Sequence, residues 1–188
     1  MDITQKLQLN REEILKKWFE SAVNSYPEDT AKFLKKSKNR FDNPVGSATM
    51  QSLEDTFKLI IDMTSNLDFQ DYSANKIDLS QNKIENALDP IIRIRAVQNF
   101  SASQAILFIF ELKSIVLSVL EQQEQYLNRI NYLIDLVALA AFNRFMKCRE
   151  NIFLLKATEA KRRIHSAFER AGLVTELTES ELIGSSKS

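Results

Sequence analysis

The chain has 188 residues, 44% hydrophobic and 27% charged, with 25 basic and 25 acidic side chains and a formal net charge of zero. That length supports one domain with its own core, and the balance excludes a disordered chain or a global field that would recruit nucleic acid or membrane. Three Gly, three Pro and a single Cys argue against a turn-rich strand fold and exclude an intramolecular disulfide and a multi-thiolate metal site.

From the N-terminus, Leu7, Ile14, Trp18 and Ala22, with Leu15 and Phe19 alongside, form a helical stripe opposite Arg11, Glu12, Lys16 and Lys17. This predicts an amphipathic first helix ending near Ser25-Tyr26. Pro27, followed by Glu28 and Asp29, suits a helix start. The second helix then reaches about Lys36, with Phe33 and Leu34 turned inward. Phe41-Asp42-Asn43-Pro44-Val45-Gly46 reads as a loop. A third helix carries Met50, Leu53, Phe57, Ile60, Ile61 and Thr64 on one face. Residues 66–79, rich in Asp, Asn and Ser and weakly periodic, read as a loop of low order.

Ser80 can cap a helix bearing Ile84, Ala87 and Leu88. Asp89-Pro90 leaves two readings open: a kink in that helix, or the cap and first residue of a new one. Ser101-Ala102-Ser103-Gln104 is a capping box, in which a hydroxyl and an amide satisfy each other's orphan N–H groups. Residues 101–171 contain neither Gly nor Pro and are helix-compatible, with one break expected near 121–126. Residues 105–120 are apolar on nearly every side, the pattern of a helix in the centre of a bundle. Glu111, Lys113 and Asp135 interrupt the most apolar stretches, which fall short of the ~20 apolar residues a membrane span needs, so no membrane insertion is expected. The last helix, about 126–171, ends at Gly172. The expected fold is therefore all-α: a single-domain helical bundle over 1–171 with a long C-terminal helix. A short, partly disordered tail, 172–188, follows it. The polar N-terminus lacks a signal-peptide core, so a cytoplasmic location is expected.

Two surface features stand out. Ala141, Phe145, Cys148, Ile152 and Leu155 alternate at spacings of 4 and 3, a seam that the same alternation carries onto Glu159 and Arg162, where it stops. Phe145, Cys148, Ile152 and Leu155 are the candidate dimer or partner interface, with packing onto the chain's own bundle as the open alternative. Charge is also uneven: residues 54–89 hold eight acids and three bases, residues 144–163 seven bases and two acids. Such a molecule can associate head to tail or dock a charged partner, or simply present solvated helix faces.

Chemistry finds little footing. His165 is the only histidine. It has no Glu at the i−3 spacing of a di-iron site and lies roughly 25 Å along the helix from Cys148. Neither a nucleophile–base pair nor a phosphate-cradling glycine loop can be assembled. No catalytic residues, metal or cofactor are expected. The bases of the last helix lack the interleaved aromatics of a nucleic-acid surface. The most pointed constellation is Arg93, Arg95 and Gln98 leading into Ser101, Ser103 and Gln104. Two guanidiniums near a helix N-terminus could hold a small anionic ligand, in a pocket that Phe100, Phe108 and Phe110 would complete. Alternatively, the arginines bridge to acids such as Asp55 or Asp89, while Ser101 and Gln104 only cap.

Tyr26-Pro27, Phe41-Asp42-Asn43-Pro44-Val45-Gly46, and above all the run Ile92-Arg93-Ile94-Arg95-Ala96-Val97-Gln98-Asn99-Phe100-Ser101-Ala102-Ser103-Gln104-Ala105 resemble the N-terminal domain of RsbRD-type RsbT co-antagonists, over roughly residues 7–155. In that family a helical domain precedes a STAS domain in stressosome regulators, and related regulators carry a non-haem, globin-like sensory domain there. The resemblance implies signal input or partner binding, dimer formation and no catalysis. It departs from the pattern at Pro90 and, as a stand-alone version, in having no STAS domain. Stand-alone versions occur in sulfate reducers, sometimes near sulfite-reduction and electron-transfer genes, which implies an accessory role there as the alternative.

Overall fold

The computed structural model describes residues 3–36, 41–66, 74–119 and 124–171. Among them run seven helices and no strand: α1 (Ile3–Leu9), α2 (Arg11–Asn24), α3 (Glu28–Lys36), α4 (Pro44–Asn66), α5 (Ala74–Val97), α6 (Ala102–Val119) and α7 (Glu124–Arg170). The protein is an all-α helical bundle. Two units divide the chain within α7, Met1–Arg149 and Glu150–Ser188.

The predicted first helix is interrupted at Asn10, whose side chain turns back to donate to the Lys6 carbonyl at 2.9 Å. The backbone bond from Ile14 to the Asn10 carbonyl persists, so α1 and α2 are separated by a local distortion rather than a turn. On α2, Ile14, Leu15, Trp18 and Ala22 are buried as the stripe required. On α3 only half the expectation holds. Leu34 is buried, but Phe33, about 100° round the helix from it, is 54% exposed.

The stretch read as a loop at 41–46 is largely a helix start. Asn43 is the N-cap of α4: its Oδ1 accepts from the Gly46 N–H at 2.9 Å, and its Nδ2 donates to the Leu34 carbonyl near the end of α3 at 2.7 Å. Pro44 then takes the first helical position, where its missing N–H costs nothing. Gly46 is required because a Cβ there would run into the Asn43 side chain. One buried amide thus ends α3 and begins α4. Leu53, Phe57, Ile60, Ile61 and Thr64 form the buried face of α4.

α5 begins at Ala74, inside the segment read as a loop; the rest of that reading, 67–73, lies outside the described residues. Pro90 sits within α5 without ending it, which settles the open choice in favour of one helix. α5 ends in a Schellman motif. Asn99 adopts a left-handed φ of 62°, and the Phe100 N–H reaches the Arg95 carbonyl. The capping box opens α6 as expected: Ser101 N–H donates to Gln104 Oε1 and Gln104 N–H to Ser101 Oγ.

α6 departs from the sequence reading. It buries Ala105, Phe108, Ile109, Leu112 and Val116 but exposes Leu107, Phe110 and Leu117. It therefore lies at the edge of the bundle rather than in its centre. By length and composition it could also cross a membrane, because an apolar outer face and an apolar inner face sum to the same hydropathy. The expected break near 121–126 falls partly outside the described residues, and α7 resumes at Glu124.

Asn43→Ala should cost about 2 kcal/mol, since it removes an N-cap and leaves the Leu34 carbonyl unpaired. Gly46→Ala should cost a comparable amount by displacing the same amide. Urea unfolding of both variants and the double mutant checks this: a double mutant no worse than either single one is expected.

Candidate functional site

Arg95, expected at an anion site, is 1% exposed. Its helix places it on the inner face of α5, where burial of a charge is tolerable only if its donors are satisfied. Nη1 donates to the carbonyls of Gln104 and Ala105 at 3.2 and 3.1 Å. Nη2 donates to the Ala22 carbonyl at 2.7 Å and to Ser25 Oγ at 3.1 Å. The guanidinium thus ties the C-terminal turn of α2, whose dipole favours a cation, to the first turn of α6.

Aromatic rings close the remaining sides. Cζ lies 4.4 Å from the Phe108 centroid, 5.3 Å from Phe100 and 5.7 Å from Tyr26. In a Schellman motif the residue two past the cap usually meets an apolar side chain on the last turn; here Phe100 meets the Arg95 guanidinium instead. Phe108 also stacks on Trp18, whose Nε1 donates to the Phe108 carbonyl at 2.8 Å. Burial pulls the Arg95 pKa down to about 10, with Tyr26 and then Glu111 opposing. Burial likewise raises the Tyr26 phenol, and the Arg95 charge works against that rise. The Tyr26 hydroxyl and Arg95 Nε are each buried without a hydrogen-bond partner, so the charge acts on Tyr26 without a closed hydrogen bond.

The other members of the constellation do not converge with Arg95. Two residues apart on a helix point roughly 200° apart, and Arg93 is turned outward, paired with Asp89 at 2.8 Å. Gln98 is exposed at the end of α5. Ser101 and Gln104 are occupied with each other. The arginine-to-acid and capping alternative describes the observed contacts for Arg93, Ser101 and Gln104. Arg95 follows neither reading, because its partners are carbonyls. Phe100 and Phe108 pack on Arg95 while Phe110 is exposed beside Lys113, so the three do not line a pocket. An open groove of ≈ 670 Å³ lies instead between α2 and α6, among Lys17, Glu20, Ser21, Asn24 and Glu111. Its residues resemble ordinary solvated helix faces in the sequence, which is why no pattern singled it out.

The seam splits as well. Phe145 and Cys148 are 3% and 7% exposed in the bundle, Ile152 is half-buried, and Leu155 is 71% exposed. Burial raises the Cys148 thiol pKa, which Arg144 opposes. Neighbouring α7 positions clamp α5. Arg144 pairs with Asp89, Lys147 with Glu85 at 2.7 Å, and Arg149 donates to the Ala96 carbonyl at 3.1 Å. Part of the charge bipolarity seen in the sequence is therefore neutralised inside the bundle. Among the described residues no group of three or more His, Cys, Asp or Glu is placed to hold a metal.

No protein-family model, curated protein or solved structure matches the chain.

Arg95→Met should destabilise the bundle by about 3 kcal/mol or more, because it removes the charged hydrogen bonds that join α5 to the end of α2 and the start of α6. Arg95 titrates lower when folded, so its contribution grows as pH rises through and above about 10. Tyr26, raised when folded, loses stability as pH climbs past 10. Neither changes charge between about pH 6 and 9, so the deficit should be flat there, as urea midpoints across that range will test. In the seam, Cys148→Asp should lower the thermal midpoint strongly while Leu155→Asp leaves it unchanged; equal effects would mean that the two share one environment.

Proposed function

We propose that this chain is a non-enzymatic protein-interaction module of the signal-input kind, as its resemblance to RsbT co-antagonist N-terminal domains implies. One observation supports the reading above the others. In the second unit, α7 presents Phe153, Leu154, Leu155, Ile164 and Phe168 to solvent, each at least 49% exposed. Scattered exposed apolar residues are ordinary, but several large ones along one helix mark an interaction site. The guanidinium of Arg95, the most pointed ligand candidate, donates from Nη1 and Nη2 to the chain's own carbonyls and Ser25.

The docking element is thus the end of α7. Self-association, implied by the resemblance, is one form such docking takes. Phe153→Asp combined with Ile164→Asp should abolish association while leaving the thermal midpoint of the bundle intact. Light scattering after size exclusion and co-purification read the association, and circular dichroism reads the fold. Association that survives this change would remove the end of α7 as the docking element.

A further inference from the structure

Resting on that reading, the register of α7 beyond Glu150 specifies what kind of helix it takes. Phe153, Ala157, Ala160, Ile164, Ala167 and Ala171 follow one another at spacings of 4, 3, 4, 3 and 4. At 100° per residue they fall within about 80° of arc, the a/d seam of a coiled coil. Phe153 and Ile164 on this seam are 70% and 57% exposed. The seam differs from the buried one at Phe145 and Cys148, and begins where that one ends.

The positions flanking this seam decide the partner. Along one flank, at seven-residue intervals, stand Lys156, Arg163 and Arg170, all exposed. The other flank carries Leu154, Lys161 and Phe168 and no acid. The acids Glu159 and Glu169 sit on the outward face, from which Glu159 reaches Arg163 at 2.6 Å within the same helix. In a parallel pair the two flanks meet, so Lys156 of one copy would face Lys161 of the other. In an antiparallel pair like flanks meet, so the basic column would face itself. Neither arrangement of two copies offers an attractive pair, and flanking charges set partner choice in coiled coils. Four of the six seam residues are Ala, which permits close helix approach but supplies little apolar area for a lipid surface.

We infer that the end of α7 docks, as a coiled coil, an amphipathic helix of a different protein whose own seam is flanked by Asp and Glu. The occupant is a helix with acidic flanks rather than a second copy or a membrane.

The test uses the full chain and two synthetic helical peptides with the same Ala/Leu seam, one flanked by Glu and the other by Lys, followed by fluorescence anisotropy. The Glu peptide should bind, more weakly at high salt, and the Lys peptide should not. Lys156→Glu, Arg163→Glu and Arg170→Glu together should weaken the Glu peptide about tenfold, at about a factor of two per exposed pair, and admit the Lys peptide. Equal binding of both peptides, or binding of neither, would overturn the proposal. So would binding to phosphatidylserine vesicles in place of the Glu peptide, or a dimer that Phe153→Asp with Ile164→Asp abolishes and the triple reversal does not weaken. That dimer would still leave the docking reading standing. If Phe153→Asp with Ile164→Asp changes neither peptide binding nor association, both readings fall.

Discussion

A positive charge placed where water cannot reach it organises this bundle. Arg95 loses hydration on folding, a cost recovered only if other groups are brought to its donors. Those groups come from distant parts of the chain: the end of α2 at Ala22 and Ser25, and the start of α6 at Gln104 and Ala105. α5, α2 and α6 must therefore meet at one point and in one register. The aromatic rings of Tyr26, Phe100 and Phe108 exclude water from that point and face the cation with their π-systems. Trp18 adds a second cross-link of the same kind, an indole N–H to a backbone carbonyl of α6. Both use side-chain donors to fix helices that apolar contacts alone would let slide.

The same logic explains the run from Ile92 to Ala105, the segment on which the family resemblance chiefly rests. Nearly every residue there has a local task. Arg95 is the hub, Asn99 takes the left-handed turn, Phe100 covers the guanidinium, and Ser101 and Gln104 cap each other. The turn and the hub are one device, because the reversal at Asn99 is what returns the carbonyls of α6 to Arg95. A motif of this length is accounted for by folding requirements, so its presence is evidence about architecture rather than about a ligand.

Most helices and their inner faces were legible in the sequence, since periodicity reports which residues share a side. The stripe on α2, the buried face of α4 and the capping box at Ser101 all follow that rule. What periodicity does not report is which neighbour covers a face. α6 is apolar around nearly its whole circumference, yet Leu107, Phe110 and Leu117 are exposed among the described residues, and its edge position became visible only in the fold. Arg95 illustrates a second blind spot. Arginine is so seldom fully buried that an arginine near a helix N-terminus is read as a ligand donor, although here those donors close on backbone carbonyls. The helix start at Pro44 was hidden for the opposite reason, because Asn, Pro and Gly favour both turns and first turns of helices.

α7 carries two registers in succession, and this is where fold and function separate. Up to Cys148 one face of it, through Leu133, Val137, Ala141 and Phe145, is buried in the bundle, and basic residues beside that face find acids or carbonyls on α5. From Phe153 the apolar positions shift to a new seam with bases along its flanks, and the nearest acids, Glu159 and Glu169, lie off those flanks. A helix evolved only to cover its own core would have no reason to begin a second heptad pattern beyond that core. In the first register Arg144, Lys147 and Arg149 are answered from α5, by Asp89, Glu85 and the Ala96 carbonyl. On the second, Arg163 is answered only from its own helix, by Glu159. That asymmetry, rather than hydrophobicity alone, is what the proposed docking role of the end of α7 rests on.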